Sequence, residues 1–184
     1  VQGGPVTASG DLAAEASTQV ATLCPEAEAT LIGPGLLDSD TAPELVAACV
    51  PHVETLLVLD ALALAWVTPD HSRLHDFAGR CVISPNIDEL AIILGEDRDA
   101  VEAAQHEAVA RLAKATGVVV TSGGATTWIA TPDGDLLRGE GGGPGLGVSG
   151  SGDVKAGIIL GLCARGADPV QAAVWGSYLH GAIG

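Results

Sequence analysis

Four short apolar runs, each cut off by a polar or glycine-bearing turn, do most to narrow what this chain can fold into. Ala29–Ile32 stops at Gly33-Pro34-Gly35, Leu56–Leu59 at Asp60, Cys81–Ile83 at Ser84-Pro85-Asn86, and Val118–Val120 at a Thr-Ser-Gly-Gly stretch. A run that is apolar at every position is a strand covered on both faces, and such strands belong to parallel sheets. Helical stripes fall around them. Thr41–Val50 is one, and a short helix lies between the second and third runs. In Asp97–Thr116, Val101, Ala104, Ala108, Leu112 and Ala115 recur at helical spacing before Gly117. Thr126–Thr131 and Leu136–Arg138 flank Pro132-Asp133-Gly134, the pattern of an antiparallel hairpin. Two helices close the chain, Gly152–Ala164 and Val170 to about Ile183, the second with Asp168 as N-cap and Pro169 in its first turn. The expected class is α/β: a mainly parallel central sheet with helices on both faces and a late antiparallel hairpin. Residues 1–25 lack a clear period, although 11–23 suit a helix.

A chain of 184 residues suits one domain, and 47% hydrophobic residues with only 3% aromatic ones imply a core of small aliphatic side chains. The net charge is −15, with 8 scattered basic residues. No basic stripe exists to neutralise a phosphate backbone, so a nucleic-acid partner is not expected. A polyanionic ligand would have to be held by backbone N–H groups, a helix N-terminus or a metal. Cys24, Cys49, Cys81 and Cys163 are far apart and read as free thiols of a reducing compartment. With no charged leader and no apolar stretch of about 18 residues, a cytoplasmic protein without membrane contact is expected. His52, His71, His75 and His106 lack metal-ligand spacing, so no zinc site is expected. The absence of Met, an initiator included, suggests incompleteness at the N-terminus.

In open α/β sheets ligands gather outside the carboxyl ends of the strands. The sharpest loop is Gly141–Gly147, followed by Ser149-Gly150-Ser151-Gly152-Asp153. It places unhindered N–H groups ahead of a helix whose dipole favours anions, which makes a phosphate cradle. Asp153 either takes a proton from a substrate hydroxyl or caps the helix. His180 reads as a packed, hydrogen-bonded histidine, and Trp66, Trp128 and Trp175 as packing residues.

The segment Gly145-Leu-Gly-Val-Ser-Gly-Ser-Gly-Asp-Val-Lys-Ala-Gly157 and the tail Gly166–Gly181 closely resemble the ADP- or ATP-dependent NAD(P)H-hydrate dehydratases, which have the ribokinase-like fold. Ile32–Leu36, Val58–Leu64, Ile83–Glu89, Leu94-Gly95 and Val118–Pro132 match in order, so the resemblance spans roughly residues 30–184. It implies repair of hydrated NADH or NADPH by phosphoryl transfer from ADP or ATP and elimination, with Asp153 as base. It implies nucleotide contacts from Ser122, Gly123, Gly124, Ala125, Thr126, Gly150, Ser151 and Gly152. Substrate contacts would come from Gly35, Asp60, Asn86 and Asp153. The resemblance also implies a homo-oligomer and points to a tetramer.

Three departures stand out. Pro85-Asn86 replaces the family's His-Pro, and Asn86-Ile-Asp-Glu89 looks more like the element of sugar and vitamin kinases that supports Mg2+, so Asn86 and Glu89 are either metal-side residues or a helix cap with its first-turn acid. The family's phosphate-side lysine falls on Ser122 or Gly123, leaving a metal or Lys155 to compensate, with Lys155 expected on the solvated helix face. Asp60-Ala-Leu62 replaces Asp-Ala-Asp, and Asp60 either faces the substrate or ends a buried strand. The other functional readings are a small-molecule kinase of the same fold and a non-catalytic nucleotide-binding subunit.

Overall fold

The computed structural model describes residues 3–124 and 126–183, the side chain of Pro144 excepted. Six strands form one sheet in sequential order: β1 (Ala29–Ile32), β2 (Leu56–Leu59), β3 (Cys81–Ile83), β4 (Val119–Ser122), β5 (Thr127–Ala130) and β6 (Leu136–Gly139). The first four are parallel, with Ile32 opposite Leu59, Leu59 opposite Ile83, and Ile83 opposite Val120. The late hairpin is antiparallel to them, with Val120 opposite Ala130 and Trp128 opposite Arg138. The α-helices are α1 (Ser17–Leu23), α2 (Ala42–Cys49), α3 (Ile87–Leu94), α4 (Arg98–Ala103), α5 (Gln105–Thr116), α6 (Ser151–Ala164) and α7 (Pro169–Ile183).

Alternation along the strands builds two cores. Val58, Val82, Val119 and Ile129 point to one face and meet Ile159 and Cys163 of α6 and Ala172 and Ala173 of α7. Leu57, Leu59, Cys81, Ile83 and Val120 point to the other, where they meet Val46, Leu90, Val109 and Leu112. Each run is apolar throughout because both of its faces are covered.

Several boundaries differ from the sequence expectation. The helix expected over residues 97–116 is two helices, broken at Ala104, whose φ of −124° and ψ of 38° leave the helical region. Asp97 caps the first by accepting the N–H groups of Asp99 and Ala100. The break turns Gln105 inward, where its Nε2 donates to the carbonyl and hydroxyl of Ser122 at 3.2 Å each. The short helix between β2 and β3 is two 3-10 segments, Ala61–Trp66 and His71–Phe77. The N-terminal segment is held by a buried carboxylate: Asp11 accepts the N–H of Leu37 at 2.8 Å and that of Asp38, so it fastens the loop that follows β1.

That loop begins at a point of unusually close approach. Gly33 has φ of +133°, and a Cβ built on it would lie 1.7 Å from the carbonyl oxygen of Asp60, at the end of the neighbouring strand. The ends of β1 and β2 can converge only because no side chain stands there. Gly33→Ala should therefore destabilise the fold by about 2–4 kcal/mol. Urea unfolding measures this, and a midpoint equal to that of the unaltered protein would contradict the packing described.

Candidate active site

The carboxyl ends of β2, β3 and β4 open into a cleft of about 1080 Å3, closed on the far side by the N-terminus of α6 and the glycine-rich loop before it. Asp60 leaves β2 and is almost wholly buried. Burial raises its carboxyl above the usual range; Lys155 pulls it back down and Asp153 pushes it up. The next residue, Ala61, has φ of +50°, a left-handed conformation that costs about 1 kcal/mol in a residue with a side chain. Such strain held at a strand end beside a cleft is common where a side chain must be aimed. Ser84 leaves β3, and among the described residues its buried hydroxyl meets no partner in hydrogen-bonding geometry. Asn86 and Glu89 form a reciprocal cap on α3: the Asn86 side chain accepts the Glu89 N–H, and Glu89 accepts the Asn86 N–H, both at 2.9 Å. Burial raises the Glu89 carboxyl, the Asn86 N–H lowers it and Asp60 raises it further.

Across the cleft, Gly150 adopts φ of +84° as the residue before α6, turning the chain sharply into the helix. Ser151 donates its N–H to the Val148 carbonyl, and Val154 to that of Gly150. The N–H groups of Gly152 and Asp153 find no acceptor among the described residues, as first-turn amides of a helix do. A Cβ at Gly150 or Gly152 would meet nothing within 4 Å, so this turn faces open space. With the dipole of a 14-residue helix behind it, the turn is a site for an anion. Asp153 stands exposed in its first turn. The Ser151 hydroxyl lies 2.9 Å from Nε2 of His180, which reaches in from α7. Burial lowers the His180 imidazole, and the charge of Lys155 lowers it further.

Lys155 is not on the solvated face expected for it. It is buried on the stripe formed with Ala156, Ile159 and Cys163, with its ammonium directed into the cleft near Gly123. Burial pulls its pKa down, while Asp60 and then Glu89 pull it up. The spacing 155, 156, 159, 163 is a helical period, and was the available signal for its burial.

Of the residues expected at the site, Asp60, Asn86, Glu89, Gly123, Gly124, Gly150, Ser151, Gly152 and Asp153 line this one cleft. Gly35, Ser122 and Thr126 do not line it. Ser122 belongs to β4, where its side chain is fully buried and bound to Gln105. Ala125 lies outside the described residues. Ser84, Arg98, Lys155 and His180 are cleft residues that the sequence did not place there. Arg98 is already engaged by Asp88 at 2.8 Å and Glu102 at 2.7 Å. Among the described residues no group of three His, Cys, Asp or Glu side chains is arranged to hold a metal ion. A second hollow, of about 520 Å3, is lined by Thr68–Ser72 and Ile92–Gly95, where Asp70 is engaged by Ser72 and His71 by the Ile93 carbonyl.

Comparison with known proteins gives concordant results. A family model described as NAD(P)H-hydrate dehydratase matches residues 6–184. The chain is 42% identical over 158 residues to the ADP-dependent (S)-NAD(P)H-hydrate dehydratase of Xanthomonas campestris, covering 85% of this chain and 53% of that protein. It is 36% identical over 180 residues to the bifunctional NAD(P)H-hydrate repair enzyme Nnr of Moorella thermoacetica, covering 98% of this chain and 34% of that protein. Its fold matches the ADP/ATP-dependent NAD(P)H-hydrate dehydratase of Bacillus subtilis, crystallised with ATP/Mg2+ and soaked with CoA, with a TM-score of 0.73 and 28% identity over 91% of this chain and 61% of that one. The chain thus spans about half the length of the Xanthomonas relative and a third of the Moorella one.

The proximity of α6 and α7 has a spectroscopic consequence. In a pH titration followed by NMR, His180 should titrate below the ordinary imidazole value of about 6.5, and Lys155→Met should raise it. An unchanged midpoint in the variant would show that the ammonium lies elsewhere.

Proposed function

Because this chain belongs to the NAD(P)H-hydrate dehydratase family, we propose that its cleft dehydrates hydrated NADH or NADPH, using ADP or ATP as phosphoryl donor. The observation that carries this reading is Asp153 in the first turn of α6, beside the two unengaged N–H groups and facing Asp60 across one cleft. The phosphates sit against the Gly150–Gly152 turn, and the hydrated ring lies between Asp153 and the strand ends. Asp153 takes the proton of the ring hydroxyl as that oxygen attacks the terminal phosphorus, and the bond from phosphorus to the rest of the nucleotide breaks. The oxygen then leaves as phosphate, pushed out by the ring nitrogen's electron pair, and loss of a proton from the adjacent carbon restores the double bond.

Mg2+ is commonly bound by one or two carboxylates together with substrate phosphates. Glu89 has one carboxylate oxygen outside its cap, which with Asn86 would give the ion a protein-side contact. Once bound it would neutralise phosphate charge. Asn86 and Glu89, the sequence feature that favoured a kinase, form a capping box, and that cap leaves a metal-side role open to them. The buried free thiols, with Cys49 pushed up to about 11 by burial, agree with a reducing cytoplasm. No helix among the described residues is long and apolar enough to cross a membrane. Trp175, Tyr178, Leu179 and Ile183 form an exposed apolar stripe on α7 that supports self-association as a homo-oligomer.

The test mixes hydrated NADH with the protein and ADP or ATP and follows recovery of reduced-nicotinamide absorbance. Recovery is expected, and Asp153→Asn should slow it by about 10^2-fold or more. No recovery, with ATP consumed on a panel of alcohols, would replace this reading with a kinase; nucleotide binding without turnover would leave a binding subunit.

A further inference from the structure

Lys155 is the fifth residue of α6. Helical side chains lean toward the helix N-terminus, so a long one at this position runs back along the buried face toward the first turn. Its ammonium arrives between the strand ends and the glycine turn, 3.6 Å from the point where a Cβ on Gly123 would stand. The residue is 7% exposed. A buried ammonium needs partners for its charge and its three N–H donors. Among the described residues it has neither an ion pair nor a hydrogen bond: Asp60 and Glu89 act on it only through their fields.

The rest of the cleft sharpens the question of what those donors are for. Among the described residues its carboxylates are Asp60, Asp88, Glu89 and Asp153, and its only permanent cations are Arg98 and Lys155. Arg98 is held on the outside by Asp88 and Glu102, and burial and the Lys155 charge disfavour the cationic form of His180. Without a further cation the cleft would repel a nucleoside diphosphate or triphosphate. Lys155 is the one cation here whose donors are all available, and it lies on the same helix as the amides that face the anion site.

We propose that Lys155 is the phosphate-contacting cation of this site, reaching the nucleotide's phosphates from inside α6 and setting its preference for phosphorylated over unphosphorylated nucleosides. The assignment rests on the nucleotide reading given above. It makes the loop after β4, where Ser122 is sealed in the sheet and Gly123 has no side chain, a wall beside the ammonium rather than the source of the charge.

Binding of ADP and of adenosine, measured by calorimetry on the unaltered protein and on Lys155→Met, tests it. The variant should bind ADP about tenfold more weakly or worse, while its adenosine affinity stays within about twofold; Lys155→Arg should recover part of the ADP affinity. Equal weakening toward both ligands would mean a merely structural lysine and overturn the proposal, as would unchanged ADP affinity. If Lys155→Met does not fold, the unaltered protein serves: the sequence holds only two lysines, Lys114 and Lys155, so lysine side-chain NMR resolves them. ADP should shift the Lys155 resonance and adenosine should not. ADP binding that leaves that resonance in place overturns the proposal alone, whereas failure of the unaltered protein to bind ADP or ATP at all overturns the nucleotide site with it.

Discussion

Parallel pairing of β1 to β4 in one register aligns four strand ends along a single edge, and everything chemical in this protein hangs on that edge. Leu59 opposite Ile83, and Ile83 opposite Val120, place Asp60, Ser84 and the loop after Ser122 side by side. The register itself depends on both faces being covered. Val58, Val82 and Val119 need α6 and α7, while Leu57, Cys81 and Val120 need the helices opposite. A slip of one residue would exchange the two sets and bury none of them correctly. Because α6 covers one face and starts at the same edge, its N-terminus is carried to the strand ends by the packing that builds the core.

The electrostatics follow from that placement. Burial raises Asp60 at the end of β2 and Glu89 in the first turn of α3; Asp153 raises Asp60 further, and Asp60 raises Glu89 further. A cleft of this sign admits an anion only through local positive potential. Among the described residues two sources supply it, the helix N-terminus and the Lys155 ammonium, and both belong to α6. The remaining polar groups hold position: Ser151 with His180 ties the turn to α7, Asn86 with Glu89 fixes the start of α3, and Asp11 fastens the loop after β1.

Much of this was legible in the sequence, because apolar runs stopped by turns report strands buried on both faces. The hairpin and the helices α6 and α7 were legible for the same kind of reason, through turn residues and caps. The break at Ala104 was hidden, since the apolar spacing through Val101, Ala104, Ala108 and Leu112 passes smoothly across it, and the inward pull of Gln105 on Ser122 is a long-range contact. Ser122 looks like a loop residue in the sequence, yet β4 continues past its apolar run into Thr121 and Ser122, both wholly buried. The charge of Lys155 suggests a solvated face, whereas its position places it on the buried stripe of α6 with Ala156, Ile159 and Cys163. The N-terminal segment has no periodic signal, being held by the Asp11 carboxylate rather than by an apolar face.

The claim that carries the account is that α6 presents an anion site to the strand ends. A crystal structure of the protein with bound ADP tests it most directly. The account predicts the phosphates at the N–H groups of Gly152 and Asp153, with the ring-binding space beside Asp60 left open. ADP seated in the hollow between Thr68–Ser72 and Ile92–Gly95, or phosphates turned away from α6, would contradict it.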